Sequence, residues 1–229
     1  MRLQNNNEML KKTTIDFLNE LSENNNKAWF ERNKKGYDDA KEDVEKIVEQ
    51  LIQRLCTFDE GIIGVNAQDA MFRIQKDARI SKDKIPFKTH LGASIAPGGR
   101  KSGLAGYYLH IEPNGESFVA GGIWMPEKEP LYKIRQVIAD HAWEFKKILN
   151  ARQFKIYFGL LEDHQGKTIP KEFSKGHPEA ELLKYKSFIV SHAFDDKEIM
   201  APDFVDRVAD ICKTLYPLNK FINDAILDN

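Results

Sequence analysis

The dipeptide Asn114-Gly115 lies mid-chain, between two segments that alternate apolar and polar residues with period two. Asn-Gly favours a tight β-hairpin turn because both of its residues tolerate a positive φ. The alternation gives the first segment two predicted faces, with Tyr107, Leu109 and Ile111 on one and Tyr108, His110 and Glu112 on the other. We therefore predict a hairpin over residues 106–112 and 117–125, and a fold with a β-sheet at its centre.

Helical spacing replaces this alternation toward both ends of the chain. Apolar stripes run through residues 40–55, 131–149 and 202–227, the last with an expected break at Pro217. Asp43 belongs to the predicted solvated face of the first of these helices. Thr13 and Asp16 resemble a capping box for an earlier helix, and Asn26 is placed to cap the next one.

Three further segments are typical of strands, namely Phe72–Ile80, Leu91–Ala96 and Ser187–Phe194. Gly121-Gly122 indicates a bulge or a close backbone approach within the hairpin. The pattern predicts an α+β fold with a mostly antiparallel central sheet covered by long amphipathic helices from both ends of the chain. We expect one domain over residues 13–229 and a disordered segment over residues 1–12.

The composition is that of an ordinary globular protein, with 41% apolar residues, 30% charged residues and a net charge of -1. That charge gives no global attraction to nucleic acid or to an anionic membrane. Its two cysteines, Cys56 and Cys212, lie in apolar helical segments and are interpreted as buried thiols. No apolar run is long enough to span a bilayer, so we expect a soluble, cytoplasmic protein without a membrane partner.

Residues 72–101 are strongly basic, with a net charge of +6. Arg73 and Arg79 share one predicted strand face with Asp77 between them, and guanidinium groups suit the capture of phosphate or carboxylate. The loop that follows adds three more cations, Lys82, Lys84 and Lys88. Together these five cations form a candidate anion-binding site. The alternative is a solvated loop beside an Arg–Asp–Arg network.

His110 and Glu112 point the same way on the predicted hairpin strand, which makes them candidate catalytic residues. His110 could act as a general acid or base with Glu112 as its orienter, or the two could be metal ligands. A structural histidine bonded to its glutamate neighbour is the competing interpretation. We assign no metal site because a third ligand is not evident, although Asp77 or His177 could arrive from elsewhere. No cofactor is indicated.

Four other residues have a functional and a structural interpretation. Trp29 and Trp124 could stack on a base or a sugar, or could belong to the core. Lys175 and His177 could present donors at a helix N-terminus, or could form a surface turn. The motifs of nucleotide-binding loops, nucleophile elbows and zinc proteases do not occur in the sequence.

Several blocks are similar to the domain-of-unknown-function family 2461, and the likeness extends from about residue 14 to residue 227. The most distinctive blocks are Phe72–Ile74, Asp77–Arg79, Ser81–Lys84, Pro86–His90, Gly106–Pro113 and Gly121–Pro126. Weaker blocks are Asn24–Phe30, Lys175–Pro178 and Leu183–Phe188. The resemblance implies one integral domain and no particular mechanism.

Three functions compete on these grounds. The first is an enzyme or binding protein for a small anionic ligand, such as a phosphorylated one, held by the basic segment. The second is a nucleic-acid-binding module, in which Tyr108 and Trp124 contact bases. The third is an interaction protein in which the same residues are structural.

Overall fold

The computed structural model describes residues 9–76 and 85–228. Its sheet has four strands, all antiparallel to their neighbours, in the order β1 (Leu91–Ile95), β2 (Gly106–Ile111), β3 (Ser117–Ile123) and β4 (Phe188–Phe194). The predicted hairpin joins β2 and β3, and its turn residues Asn114 and Gly115 have φ of 67° and 76°. The hairpin and the two outer strands are confirmed.

Helices precede and follow the sheet in sequence, and three of them lie between β3 and β4. The helices are α1 (Lys12–Glu23), α2 (Lys27–Arg32), α3 (Lys34–Leu55), α4 (Ala67–Ala70), α5 (Lys128–Leu149), α6 (Arg152–Phe158), α7 (Ala180–Leu183), α8 (Asp196–Ile199) and α9 (Phe204–Leu227). The α+β class is thereby confirmed. Within the described ranges, no helix combines the length and the apolar character that a membrane crossing requires.

One face of the sheet is the core face. Helix α3 packs against β1, α9 packs against β3, and α5 packs on α9. The strand residues that point toward these helices include Leu91, Ala93, Tyr107, Leu109 and Val119, all at most 1% exposed. Two side-chain amides fasten α9 to the start of β2. Asn219 donates to the carbonyl of Gly106, and Asn223 bonds the backbone of Ala105.

Gly121 and Gly122 provide the predicted close approach. A Cβ on Gly121 would lie 2.0 Å from Leu215 of α9, so only glycine lets this helix pack so closely on β3. Gly122 has φ of 107°, and a Cβ there would lie 1.8 Å from the Phe188 carbonyl of β4. The pairing register runs through both residues, so the close approach is confirmed and no bulge forms.

Three helix predictions require correction. Helix α9 continues through Pro217, because the fully buried Leu215 and Leu218 hold both sides of it in the core. Asp43 is 1% exposed and accepts a hydrogen bond from the Thr14 hydroxyl, so it does not belong to the solvated face. No capping box forms at Thr13 and Asp16, since Thr13 lies inside α1. The Asn26 cap is confirmed by its bond from the Trp29 amide.

The prediction that Phe72–Ile80 forms a sheet strand is wrong for its described part. Only isolated bridges occur there, from Met71 to Ala93 and from Gln75 to Phe87. Residues 74–76 pair locally with residues 86–88 through two backbone hydrogen bonds. The chain touches the edge of β1 and then pairs with the segment that leads into this strand. Residues 77–80 lie outside the described residues.

At the N-terminus, residues 1–8 also lie outside the described residues. The described residues that follow pack on the domain. Leu10 is 3% exposed, and the Lys11 backbone N–H donates to Asp43 at 2.9 Å. The disordered N-terminal segment stays a prediction for residues 1–8.

Candidate functional site

The opposite side of the sheet, called the open face here, carries polar and aromatic side chains at one end of β1 and β2. The first residue of β1 pairs with the last residue of β2. His90 and Glu112 are one position further out on each strand, so the antiparallel register places them opposite each other. His110 is two residues before Glu112 and faces the same side, opposite Gly92.

These three side chains form an imidazole–carboxylate cluster of His90, His110 and Glu112. The His110 Nε2 atom is 2.8 Å from Glu112 Oε2, and His90 Nδ1 is 3.8 Å from the same oxygen. The two imidazole rings lie 4.1 Å apart between centroids. The Thr89 hydroxyl donates to Glu112 Oε1 at 2.5 Å and fixes the carboxylate from the other side. The predicted contact between His110 and Glu112 is therefore present.

Tyr108 extends this cluster along β2 toward the middle of the open face. Its hydroxyl lies 3.1 Å from His110 Nδ1, so both ring nitrogens of His110 have a partner. Gly92 leaves the space for this hydroxyl, since a Cβ there would lie 2.5 Å from the Tyr108 oxygen. The His110 ring also stacks on Phe118, with centroids 4.5 Å apart. His110 is only 7% exposed, whereas Tyr108 is half-buried.

Burial sets the protonation of the cluster. It lowers the pKa of His90 to about 4, with a further contribution from His110. Burial also lowers the pKa of His110, and the hydrogen bond to Glu112 offsets part of that change. For Glu112, burial acts to raise the pKa, but the hydrogen bonds from Thr89 and His110 outweigh it and the pKa is lowered. At neutral pH both imidazoles are neutral and the carboxylate is ionised.

Lys88 and Arg100 lie over the ring of Phe72 beside the edge of β1, and together with Arg73 they form a cationic cluster. The Lys88 Nζ atom lies 5.1 Å from the Phe72 ring centroid, and Arg100 Cζ lies 5.3 Å from it. Burial, together with the charges of Arg73 and Arg100, lowers the pKa of Lys88. Among the described residues, neither Lys88 nor Arg100 lies within ion-pair distance of a carboxylate; Arg100 donates instead to the Asp69 carbonyl.

A cleft of about 820 Å³ runs across the open face from Arg100 of this cluster toward β4. Its floor consists of strand residues, among them Ser94, Tyr108, Phe118, Ala120 and Ile189. Phe72 and Arg100 line it on the side of β1. Trp124 and Met125, which follow β3, line the other side and are 60% and 55% exposed. The cleft therefore combines an aromatic, largely apolar surface with cations at one end.

The structure brings only part of the predicted site together. Glu112 and His110 are in contact, and Lys88 is electrostatically coupled to His110. Arg73 is exposed, belongs to no strand, and does not line the cleft. Arg79, Lys82 and Lys84 lie outside the described residues, so an anion-binding site formed by all five cations stays a prediction.

The sequence reasoning missed His90 and Arg100 as site residues. His90 can be recognised as a site residue only when the pairing of β1 with β2 is known, because that pairing places it opposite Glu112. The ten-residue connection between these strands leaves that register open in the sequence. Trp124 is exposed beside the cleft, whereas Trp29 packs against the core. His177 accepts a hydrogen bond from the Glu179 amide, which favours the surface-turn interpretation.

The fold and the site define an α+β protein with a polar cluster and a candidate ligand cleft on one face of an antiparallel sheet. The chain belongs to the family described as conserved hypothetical protein, DUF2461, whose model matches residues 13–221. This match confirms the resemblance seen in the sequence. A comparison with curated proteins gave no match, and neither did a comparison with solved structures.

Proposed function

We propose that the protein binds a small organic anion in the cleft on the open face of the sheet. The observation that supports this most is a pair of cations over the Phe72 ring, namely Arg100, which lines the cleft, and Lys88, which lies just outside the lining. The half-buried ammonium group of Lys88 lies beside two arginines, with no carboxylate at ion-pair distance in the described part of the chain. Like charges gathered in this way repel each other, and a bound anion relieves the repulsion.

The shape of the cleft favours an anion with an aromatic or apolar body. The floor offers the rings of Tyr108 and Phe118, and Trp124 exposes its indole at the far side. Arg100 provides a guanidinium at the opposite end, which suits a phosphate or carboxylate. The sequence adds three cations to the proposed site, Arg79, Lys82 and Lys84, because the basic segment that contains them leads into Lys88.

Tyr108 is the group through which His110 and Glu112 act on such a ligand. Glu112 accepts only, so the neutral His110 donates from Nε2 and accepts the Tyr108 hydroxyl proton at Nδ1. Burial and the charge of Glu112 raise the pKa of Tyr108 to about 12. The hydroxyl is therefore protonated at neutral pH, and His110 and Glu112 fix its orientation at the cleft floor. The Tyr108 oxygen can accept a hydrogen bond from a bound ligand while its proton is held by His110.

The arrangement of the cations favours a small ligand over a nucleic acid strand. Two of the described cations of the basic segment, Lys88 and Arg100, lie over the single ring of Phe72, whereas a nucleic-acid interface needs a stripe of cations that tracks a phosphate backbone. Fluorescence anisotropy with a single-stranded oligonucleotide tests this alternative. Salt-sensitive binding that competes with the small anion would replace the proposal by a nucleic-acid interface.

Three matched probes test the proposal by thermal shift and calorimetry, namely phenyl phosphate, benzyl alcohol and inorganic phosphate. We expect phenyl phosphate to bind most tightly, because it satisfies both the aromatic floor and the cations. A ligand at a hundredfold excess over its Kd stabilises the fold by about 2.7 kcal/mol, which is easily detected. A panel of phosphorylated metabolites and nucleotides then identifies the natural class.

The variants Lys88→Gln and Arg100→Gln should each weaken binding of phenyl phosphate. Lys147→Gln is the matched control, since Lys147 lies 6.0 Å from the Trp143 ring, away from the cleft. Equal affinity for phenyl phosphate and benzyl alcohol, or equal loss in the control, would refute anion binding by the cationic cluster.

A further inference from the structure

We propose that His90, His110 and Glu112 form a binding site for a divalent first-row transition-metal ion with open coordination positions. The three donor atoms, one from each residue, lie within 4.8 Å of one another. Two imidazoles and one carboxylate are a donor set that Zn²⁺, Fe²⁺, Mn²⁺ and Co²⁺ accept, and three protein ligands leave room for water or substrate.

The strand register builds this site without a dedicated loop. His90 and Glu112 face each other across the ends of β1 and β2, and His110 lies on the same face two residues away. Glu112 Oε2 lies 2.8 Å from His110 Nε2 and 3.8 Å from His90 Nδ1. One distance is shorter and the other longer than the usual distance between two donor atoms on one metal ion. Ligands about 2.0–2.2 Å from a metal are roughly 3.0–3.5 Å from each other. Small side-chain movements therefore suffice.

The surroundings of the donors resemble those of established metal sites. The ligands of such sites are held by hydrogen bonds from a further layer of residues, which fixes their orientation. Here Thr89 donates to the second oxygen of Glu112, and Tyr108 contacts the second nitrogen of His110. The stack with Phe118 holds the ring plane of His110.

The nearby charges include one acid and two cations. Glu116 favours a positive charge on His110, whereas Lys88 opposes it on both imidazoles and Lys76 opposes it on His90. A metal ion at this site therefore adds to the positive field of the cationic cluster. An anionic ligand at an open coordination position would balance that field, so we expect metal and small anion to bind cooperatively.

Metal binding would also reorient Tyr108. With the metal on His110 Nε2, the proton of this imidazole resides on Nδ1 and is donated to the Tyr108 oxygen. The Tyr108 O–H is then released from His110 and can donate into the cleft. The metal site goes beyond the proposed anion-binding function but does not depend on it, since it shares no ligand with the cationic cluster.

Titration of the full chain with Zn²⁺ and Co²⁺, after treatment with a chelator, tests the site. We expect one ion per chain by calorimetry, visible absorption bands for Co²⁺, and paramagnetically shifted ring protons from two of the six histidines. The variants His90→Asn, His110→Asn and Glu112→Gln should each lower the affinity at least about 100-fold, and Tyr108→Phe about 10-fold.

His164→Asn is the matched control, because His164 pairs with Glu162 at 3.2 Å in the same His–Glu spacing but belongs to no three-ligand group in the described chain. It should leave metal affinity unchanged. If the wild-type protein gives neither binding heat nor Co²⁺ absorption bands with excess metal, the proposed site is overturned, whether or not the variants fold. Retained binding in His90→Asn would overturn it as well.

A further pair of measurements separates this site from the proposed function. Lys88→Gln should weaken phenyl phosphate binding and leave metal binding intact or tighter. His90→Asn should weaken metal binding at least about 100-fold, while phenyl phosphate still binds the metal-free protein. Metal binding without any anion binding refutes only the proposed function, and the reverse result refutes only the metal site.

Discussion

Tyr107 and Tyr108 are neighbours in β2, yet their hydroxyl groups have different surroundings on the two faces of the sheet. Tyr107 points to the core face, is 1% exposed and donates to Asp59 at 2.8 Å. Burial and the charge of Asp59 raise its pKa far above the usual range for tyrosine. Tyr108 points to the open face, bonds His110 and lines the cleft.

The difference separates a hydroxyl that stabilises the fold from one that is available to a ligand. The core face is closed by α3 and α9, and the Tyr107 hydroxyl has its partner in the acceptor-only Asp59. The open face leaves Phe118, Ser94 and Tyr108 only half-buried, and its ionisable groups have shifted pKa values. Perturbed titratable groups beside a cleft are typical of functional sites.

The largest expected effect is that of Tyr107→Ala, which we expect to destabilise the fold by about 3–5 kcal/mol, because it removes a fully buried aromatic ring. Tyr108→Ala should cost less than half as much, because its ring is partly exposed. Urea unfolding followed by circular dichroism measures both. Equal losses would show that the two faces contribute equally to stability and would break the comparison.

Removal of the hydroxyls alone sharpens the contrast. Tyr107→Phe leaves the 7% exposed Asp59 without this donor and should cost about 1–3 kcal/mol. Tyr108→Phe should change the free energy of unfolding by less than about 1 kcal/mol, since the Tyr108 side chain is only half-buried. A Tyr108→Phe variant as unstable as Tyr107→Phe would mean that the Tyr108–His110–Glu112 chain is structural.

Acid should destabilise the fold by protonating His90 on the open face. Its pKa falls from 6.5 in the unfolded chain to about 4 in the native protein, so folding favours the neutral imidazole. The contribution of the neutral His90 to the free energy of unfolding is fully present above pH 6.5 and is lost as the pH falls toward 4. We expect a loss of about 1–2 kcal/mol, allowing for solvent screening of a partly exposed ring.

Denaturant titrations of the metal-free protein between pH 6.5 and pH 4 measure the slope of the unfolding free energy against pH. His90→Asn should flatten it, whereas His164→Asn should not, because His164 lies outside the cluster. An unchanged slope in His90→Asn would assign the acid sensitivity to other groups.

The smallest expected effect is that of Lys88→Met. Removal of a half-buried ammonium group beside Arg73 and Arg100 should leave the stability unchanged or raise it by less than about 1 kcal/mol. Anion binding should fall at the same time, which calorimetry with phenyl phosphate measures. A marked loss of stability would place Lys88 among the structural residues and weaken the functional interpretation of the open face.

The sequence alone determined the elements whose signals are local. Turn chemistry at Asn114-Gly115 and period-two alternation predicted the hairpin, and the apolar stripes predicted the long helices. The same alternation placed His110 and Glu112 on one face, where they are in contact. These features depend on residues a few positions apart, so the backbone period is sufficient to predict them.

Tertiary structure alone decided which segments meet. Alternation in Phe72–Gln75 could not distinguish a sheet strand from an extended segment that touches the edge of β1 and pairs locally. The register of β1 on β2 placed His90 opposite Glu112, and the meeting of α1 with α3 buried Asp43. Pairing and register depend on contacts between segments distant in sequence, which no local period encodes.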